Sequence, residues 1–265
     1  MGSNPPGAWS DDNGLRWYTF KGEPAAYDGD YMSVTSQRKV LGMAYNLHEW
    51  VLKQLALGVI ANPEDAIQRP GELIEDVVRR VKKHATKKRD ESAERGTTVH
   101  GLIAGNTDLS DWPTELRPYV ISYAQAVIDL GIKPLLVERQ VFNTRYRYAG
   151  SFDLLAYVKK YDKSYIVDLK TGSGTYPEHA IQCLCYLWGN FVATTHEDGK
   201  PDSVDEGATA LLHEARGIGI LHITPDGYTF HDIAITAKLE QAYKAQCVLA
   251  HWYGTVRTIE ELEVR

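Results

Sequence analysis

Apolar residues recur every three or four positions in five stretches of the chain, which is the spacing of amphipathic helices. The predicted helices span residues 33–57, 72–104, 113–130, 177–193 and 236–253. The first begins at Ser33 or Thr35, because both residue types cap helix N-termini. The preceding chain mixes aromatic residues with Gly, Pro and Asp, which predicts an irregular lead-in.

Short apolar or alternating runs predict β-strands. These runs span residues 15–20, 135–141, 146–158, 163–170, 208–212, 218–223 and 227–232. The polar run Lys159–Lys163 is typical of a hairpin turn, and residues 194–207 predict a polar loop. The chain therefore combines predicted helices with predicted strands.

Length and composition are those of an ordinary globular protein. The 265 residues suffice for one large domain, and no linker is long enough to require a second. No apolar run approaches ~18 residues, so no membrane contact is expected. Residues 1–10 lack an apolar signal segment. Three cysteines make neither a disulfide framework nor a four-thiolate metal site, so the cytoplasm (the host cytoplasm for a viral protein) is the expected location.

One segment of this acidic chain is basic. The net charge is −6, which argues against a protein that coats DNA but leaves room for a local basic groove. Residues 79–95 contain eight basic residues against three acidic ones. The basic residues are Arg79, Arg80, Lys82, Lys83, Lys87, Lys88, Arg89 and Arg95. Two interpretations remain open, a solvated helix face and a surface that follows phosphates.

The strand at 163–170 carries the main candidate chemistry. Side chains alternate along a strand, so Asp168 and Lys170 share one face while Val167 and Leu169 point the other way. A carboxylate and an ammonium so placed suit metal-assisted hydrolysis, in which the acid holds a hard cation and the lysine orients or deprotonates a water. Asp153, on the preceding strand, is expected to face Asp168 across the hairpin. A simple exposed ion pair is the alternative.

Five short elements follow one another between residues 95 and 189. They are His100 after a glycine, Glu138, Gly150-x-x-Asp153, Asp168-x-Lys170-Thr171-Gly172 and Gln182-x-x-x-Tyr186. Their order resembles that of the RecB-like branch of the PD-(D/E)xK nuclease superfamily. Members with a similar layout include CRISPR-associated RecB-like exonucleases, mitochondrial genome-maintenance exonucleases and phage exonucleases. The first group usually carries four cysteines that bind an iron–sulfur cluster. This chain has three cysteines, so no cluster is expected here.

The resemblance implies an α/β (α+β) fold, in which a mixed β-sheet flanked by helices forms a restriction-endonuclease-like core. It implies that the catalytic core spans 134–193, that a helical cap spans 33–130, and that strands with a closing helix span 208–256. It implies Mg²⁺ or Mn²⁺ as the cofactor. The implied metal ligands are His100, Asp153, Asp168 and the Leu169 carbonyl. Lys170 is implied to orient a water or take its proton, and Glu138 to hold a water or a second metal. The implied DNA contacts are Gln182 and Tyr186, joined by Lys82, Lys83, Lys87 and Lys88 of the basic segment.

The expected function is that of a metal-dependent DNA exonuclease in recombination, repair or replication, which acts on the ends of single-stranded or linear DNA. Any helicase or recombination partner would be a separate chain. Three alternatives remain: an endonuclease with the same site, a non-catalytic nucleic-acid-binding protein, and a metal phosphohydrolase with small substrates. Intact Asp153, Asp168 and Lys170 argue against the second, and the basic segment favours a polymeric substrate over the third.

Overall fold

The computed structural model describes residues 7–12, 14–40, 45–105, 113–172, 174–195 and 199–255. The chain forms two compact units. The larger unit comprises Met1–Leu41 and His100–Arg265, and the smaller unit comprises Gly42–Val99. No helix in the described part of the chain has the length and apolar character needed to cross a membrane.

The predicted mixed α/β class is confirmed. The described residues form seven α-helices and a ten-stranded sheet. The helices are α1 (Val34–Val40), α2 (Tyr45–Ala61), α3 (Ile74–Gly105), α4 (Arg117–Leu130), α5 (Pro177–Leu187), α6 (Glu206–Glu214) and α7 (Ala237–Thr255). The strands are β1 (Ala8–Ser10), β2 (Arg16–Phe20), β3 (Gly29–Ser33), β4 (Ile132–Asn143), β5 (Tyr148–Val158), β6 (Lys163–Lys170), β7 (Phe191–Thr195), β8 (Pro201–Val204), β9 (Gly217–Thr224) and β10 (Gly227–Ile233).

Strand β5 is the centre of the sheet because it pairs with three other strands. One edge pairs antiparallel with β4 along the whole of β5. The other edge pairs parallel with β3 at Tyr148 and Ala149, and antiparallel with β6 from Leu154 to Val158. Residues 150–153 of β5 therefore lie where β3 and β6 part. Beyond β6, the sheet continues through the parallel strand β9 to β10.

Both faces of the sheet are covered by apolar packing within the larger unit. One core joins β5 and β6 to α5, α6 and α7, and it includes Ile166 of β6. The other core joins the same strands to α4, and it includes Val167 and Leu169. This division confirms the predicted alternation along β6, because Val167 and Leu169 share a face that Ile166 does not.

The structure corrects the prediction at residues 208–212, which form part of helix α6 and not a strand. The Asp205 carboxylate accepts a hydrogen bond from the Ala208 amide at 2.9 Å, which caps the helix N-terminus. Ala208 and Leu212 are both buried, and they are four residues apart, as two residues on one helical face are. A short apolar run fits a strand and a buried helix equally well, and here the cap selects the helix.

Two further predictions were wrong in their limits. Helix α5 ends at Leu187 and not at residue 193, and β7 then pairs with β4. Gly189 permits this change of direction, because a Cβ there would lie 2.0 Å from Val141 Cγ2. The expected loop at 194–207 contains β8. The predicted helix at 33–57 corresponds to α1 and α2, and residues 41–44 between them lie outside the described part.

The smaller unit contains α2 and most of α3. Gly58 of α2 contacts His84 of α3 so closely that a Cβ on Gly58 would lie 2.2 Å from the His84 Cβ. His84 Nε2 lies 2.9 Å from Asp65 Oδ2, and Arg80 forms an ion pair with Glu72. These contacts tie α3 to the turn that follows α2.

Candidate active site

Three acidic residues occupy a row across neighbouring strands of the larger unit. In the β4–β5 register, the pairs Val137–Leu154 and Arg139–Phe152 put Glu138 opposite Asp153. The β5–β6 register begins at the pair Leu154–Val167, so Asp168 comes next to Asp153 on the other side. The sequence predicted the Asp153–Asp168 half of this row from the hairpin. We call Glu138, Asp153 and Asp168 the acidic row.

One end of the row meets His100, which lies in the last turns of α3. His100, Glu138 and Asp153 each offer one possible ligand atom, and these three atoms lie within 4.8 Å of one another. His100 Nδ1 is 3.3 Å from Asp153 Oδ1. The Leu169 amide donates a hydrogen bond to Asp153 Oδ2 at 2.7 Å, which fixes the other carboxylate oxygen. We call His100, Glu138 and Asp153 the His100 cluster.

The pKa values in the His100 cluster are shifted because an imidazole and two carboxylates lie close together. Burial lowers the pKa of His100, but the Asp153 and Glu138 carboxylates outweigh burial and leave that pKa above its ordinary value. Burial raises the pKa of Asp153, and His100 with Lys170 lowers it to below the ordinary value. Desolvation of its carboxylate and the Asp153 charge raise the pKa of Glu138 to about 7, although the residue as a whole is exposed to solvent. The carboxylates therefore repel one another where a cation would relieve them.

At the other end of the row, Asp168 and Lys170 form a close pair. Asp168 is only 2% exposed, and Lys170 Nζ lies 2.6 Å from its Oδ2 atom. Apart from this ammonium, Oδ2 meets no hydrogen-bond donor among the described residues. Burial raises the pKa of Asp168 to about 6, although the Lys170 ammonium acts to lower it. Asp168 is thus a buried carboxylate whose Oδ2 atom has one cationic neighbour.

The donor set fits a divalent cation that prefers oxygen and tolerates imidazole. The His100 cluster supplies two carboxylates and one ring nitrogen within reach of a single ion. Asp168 adds a buried carboxylate on the neighbouring strand, next to the Lys170 ammonium. Such donors match Mg²⁺ or Mn²⁺ better than ions that favour thiolates. The Leu169 amide faces Asp153, and the role of its carbonyl as a ligand stays a prediction.

Glu138 has an unusual backbone conformation. Its φ is +48°, in the left-handed region that non-glycine residues rarely occupy. On the opposing strand the facing pattern also changes here, because Phe152 and Leu155 belong to one core and Leu154 to the other. The Glu138–Asp153 position is therefore a local irregularity, in addition to the register shift between Pro134 and Leu136 of the same strand. Left-handed residues of this kind cost of order 1–3 kcal/mol and are concentrated at functional sites.

Gln182 and Tyr186 pack behind the acidic row on α5. Both side chains are buried, and the Gln182 amide donates a hydrogen bond to the Tyr186 hydroxyl at 3.1 Å. The Tyr186 ring lies against Gly150, where a Cβ would approach its Cε1 atom to 2.9 Å. Glycine at position 150 is thus what allows the ring to pack against β5. Their predicted contact with DNA remains a prediction.

The basic segment lies on α3 in the smaller unit. Arg79 forms an ion pair with Asp76 at 2.6 Å, and Arg80 pairs with Glu72. The side chains of Lys82, Lys83 and Lys87 are exposed. The side chain of Lys88 lies outside the described part of the structure.

Some residues near the site were not singled out from the sequence. Tyr123 and Val127 of α4 line a cavity beside the His100 cluster. His222 pairs with Lys170 across β6 and β9, and its Nε2 atom is 2.8 Å from the Gly172 carbonyl oxygen. Helical spacing places Tyr123 and Val127 on one face of α4. Their place in a cavity follows only from the sheet against which α4 packs. The parallel pairing of β6 with β9, which places His222, leaves no local signal.

No family model matches the chain, and no curated protein matches it either. The interpretation of the site therefore depends on its residues and their geometry.

Proposed function

We propose that this protein is a metal-dependent deoxyribonuclease that hydrolyses phosphodiester bonds from the ends of single-stranded or linear DNA. The main support is the acidic row with His100 at one end and Lys170 at the other. Two carboxylates and an imidazole converge within 4.8 Å, and an ammonium group lies 2.6 Å from the third carboxylate. This is the combination that the sequence resemblance to the RecB-like nucleases leads one to expect.

The His100 cluster would hold Mg²⁺ or Mn²⁺, with Asp168 next to it. A bound cation would supply an activated water and would neutralise negative charge on the phosphate. Asp153 is well suited to bind a cation because the Leu169 amide holds one of its oxygens in place. Glu138 and His100 complete the set from a second strand and from α3.

Lys170 places an ammonium at the Asp168 end of the row. This ammonium is held by Asp168 and remains partly open to solvent, so it can donate hydrogen bonds to a water or to a phosphate oxygen. Asp168 thereby orients Lys170 through its Oδ2 atom. The position of positive charge at the reacting group is what phosphoryl-transfer catalysis chiefly requires.

The polymeric nature of the substrate is supported by charge. Lys82, Lys83 and Lys87 are exposed on one helix, and lysines in this number can follow a phosphate backbone without reading sequence. DNA recombination, repair or replication is the setting in which an end-directed deoxyribonuclease acts. A helicase or recombinase would be a separate partner.

The test compares end-labelled linear single strands with covalently closed single-stranded circles, in Mn²⁺, in Mg²⁺ and in EDTA. The matched variants are Asp153→Asn, which keeps an acceptor for the Leu169 amide, and Asp162→Asn at the exposed hairpin turn. We expect metal-dependent loss of linear DNA only, abolished by Asp153→Asn and unaffected by Asp162→Asn.

Other outcomes separate the alternatives. Cutting of circles as fast as linear strands would identify an endonuclease. Retention of DNA without cutting in either metal would identify a nucleic-acid-binding protein. Failure to bind and to cut any DNA would contradict the proposal, as would unchanged cutting by Asp153→Asn.

A further inference from the structure

A cavity of about 330 Å³ opens beside the His100 cluster, entirely within the larger unit. The end of α3, α4 and strands β4, β5 and β6 all contribute to its wall. Its volume lies at the lower end of the range of small-molecule sites, about 300–1,000 Å³. Apart from the cluster, its main lining residues are Ile103, Tyr123, Val127, Val137, Leu154 and Leu169.

The cavity wall is polar at one end and apolar elsewhere. His100, Glu138 and Asp153 are its ionisable residues at the cluster end, and Tyr123 contributes a half-buried aromatic ring. The described residues that line it include no lysine or arginine. A phosphate group would lose its hydration there without a cationic partner, which is strongly unfavourable. A flat group with apolar faces suits this wall better.

We infer that the cavity receives an unpaired nucleobase, from a nucleotide adjoining the phosphate that lies at the His100 cluster. This inference rests on the proposed function. A nucleobase is the part of DNA that has two apolar faces, and bases stack on aromatic side chains whatever their sequence. The apolar wall would hold the base, and the polar end would face the backbone.

A cavity that receives a base restricts the form of DNA that the site accepts. A base in a duplex must be unpaired and unstacked before it can enter a cavity, which costs a few kcal/mol, and the cost is smallest in a single strand or at a mismatch. The site therefore selects single strands and frayed ends over intact duplex ends. Selection of this kind needs no contact with the edges of the base pairs.

Two variants on α4 isolate the cavity. Val127→Phe places a larger side chain in the cavity wall. Ile128→Phe makes a similar change at the next residue, which is 74% exposed. Tyr123→Leu keeps an apolar wall and removes the aromatic ring. Thermal unfolding of all three would be followed, so that a folding defect in Val127→Phe leaves Tyr123→Leu as the informative variant.

The measurement is the binding of labelled single-stranded oligonucleotides in Ca²⁺, with an abasic residue at one of the first three positions from either end. In the wild type and in Ile128→Phe, we expect one abasic position to weaken binding about tenfold relative to the intact strand, the size of one stacking contact. In Val127→Phe and Tyr123→Leu, this ratio should fall towards one. A merely structural role would weaken both oligonucleotides equally and leave the ratio unchanged.

The result that overturns the inference differs from the one that overturns the function. If the wild type cleaves DNA but every abasic position is bound like intact DNA, the inference fails and the nuclease proposal stands. An equal ratio in Val127→Phe, Tyr123→Leu and Ile128→Phe would overturn it in the same way. If the protein neither binds nor cleaves DNA, both fail together.

Discussion

Asp153 and Asp168 are neighbours on adjacent strands, yet different groups meet their carboxylates. Asp153 is held by the Leu169 amide and His100, and it faces a second carboxylate, Glu138. Asp168 is buried and already has a cation beside it, the Lys170 ammonium. At one end of the acidic row two carboxylates share one imidazole, whereas at the other end one buried carboxylate has an ammonium of its own. We therefore expect Asp153 and Asp168 to contribute differently to the free energy of unfolding and to cleavage.

The largest effect is expected at the Asp168–Lys170 pair. Lys170→Met leaves Asp168 buried without its cation, and breaking a buried pair from one side costs about 3 kcal/mol of unfolding free energy. Cleavage should fall at least about 10²-fold, because a group that stabilises developing charge is lost. Urea unfolding in EDTA and single-turnover cleavage measure the two effects.

Two variants control for this result. Lys163→Met removes a lysine of the same strand that pairs with Asp232 at 3.7 Å with both groups exposed, so a change within about 0.5 kcal/mol is expected. The double variant Asp168→Asn with Lys170→Met should regain stability but not cleavage. If Lys170→Met unfolds at the wild-type urea concentration, Asp168 does not depend on this partner.

At the His100 cluster, the sign of the stability effect should be opposite. Glu138→Gln removes one of the crowded carboxylates, so the metal-free protein should be equally stable or more stable by up to about 1 kcal/mol. Mn²⁺ affinity should fall about tenfold or more, because a charged ligand is replaced by a neutral one. Calorimetric titration with Mn²⁺ would measure the affinity, and unfolding in EDTA would measure the stability.

Glu138→Gly separates charge from backbone at the same position. Glycine adopts φ +48° without the cost that other residues incur, so this variant should be more stable than Glu138→Gln in EDTA by about 1 kcal/mol. Its affinity for Mn²⁺ should be no better. Equal stabilities of the two variants would mean that the left-handed conformation carries no strain.

A smaller effect is expected in metal preference. Mn²⁺ binds imidazole more readily than Mg²⁺ does, so the wild type should need less Mn²⁺ than Mg²⁺ for half-maximal cleavage. His100→Ala should raise the Mn²⁺ requirement more, and His100→Asp should restore Mg²⁺-dependent cleavage better than alanine. Titration of both metals against each variant decides this, and an unchanged Mn²⁺/Mg²⁺ ratio would remove His100 from the site.

The smallest effect concerns the basic segment, which belongs to the smaller unit. Lys87→Gln should lower the slope of log affinity against log salt by about 0.7 on single strands, if this lysine contacts one phosphate. Lys53→Gln, which changes an exposed lysine on α2, is the control. Equal slopes in wild type and Lys87→Gln would mean that Lys87 contacts no phosphate and belongs to a solvated helix face.

The two ends of the row also differ in how far the sequence could predict them. Strand alternation placed Asp168 and Lys170 together, and the hairpin placed Asp153 beside Asp168, because both relations are local. The position of Glu138 depends on the β4–β5 register and on a left-handed residue, neither of which has a clear local pattern. Likewise, the apolar run at 208–212 fits a strand or a helix until the Asp205 cap is considered.

The pairing of β6 has a consequence for the order of folding. On one edge β6 meets β5 through a short turn, whereas on the other Tyr165 pairs with Gly217, far along the chain. Contacts between distant segments form late, since loop closure must precede them. During synthesis, the hairpin that carries Asp153, Asp168 and Lys170 is therefore complete while the outer edge of β6 is still open. An apolar strand with an open edge is prone to pair with other chains, so the segment from α5 to β9 protects the nascent protein from aggregation as well as completing its sheet.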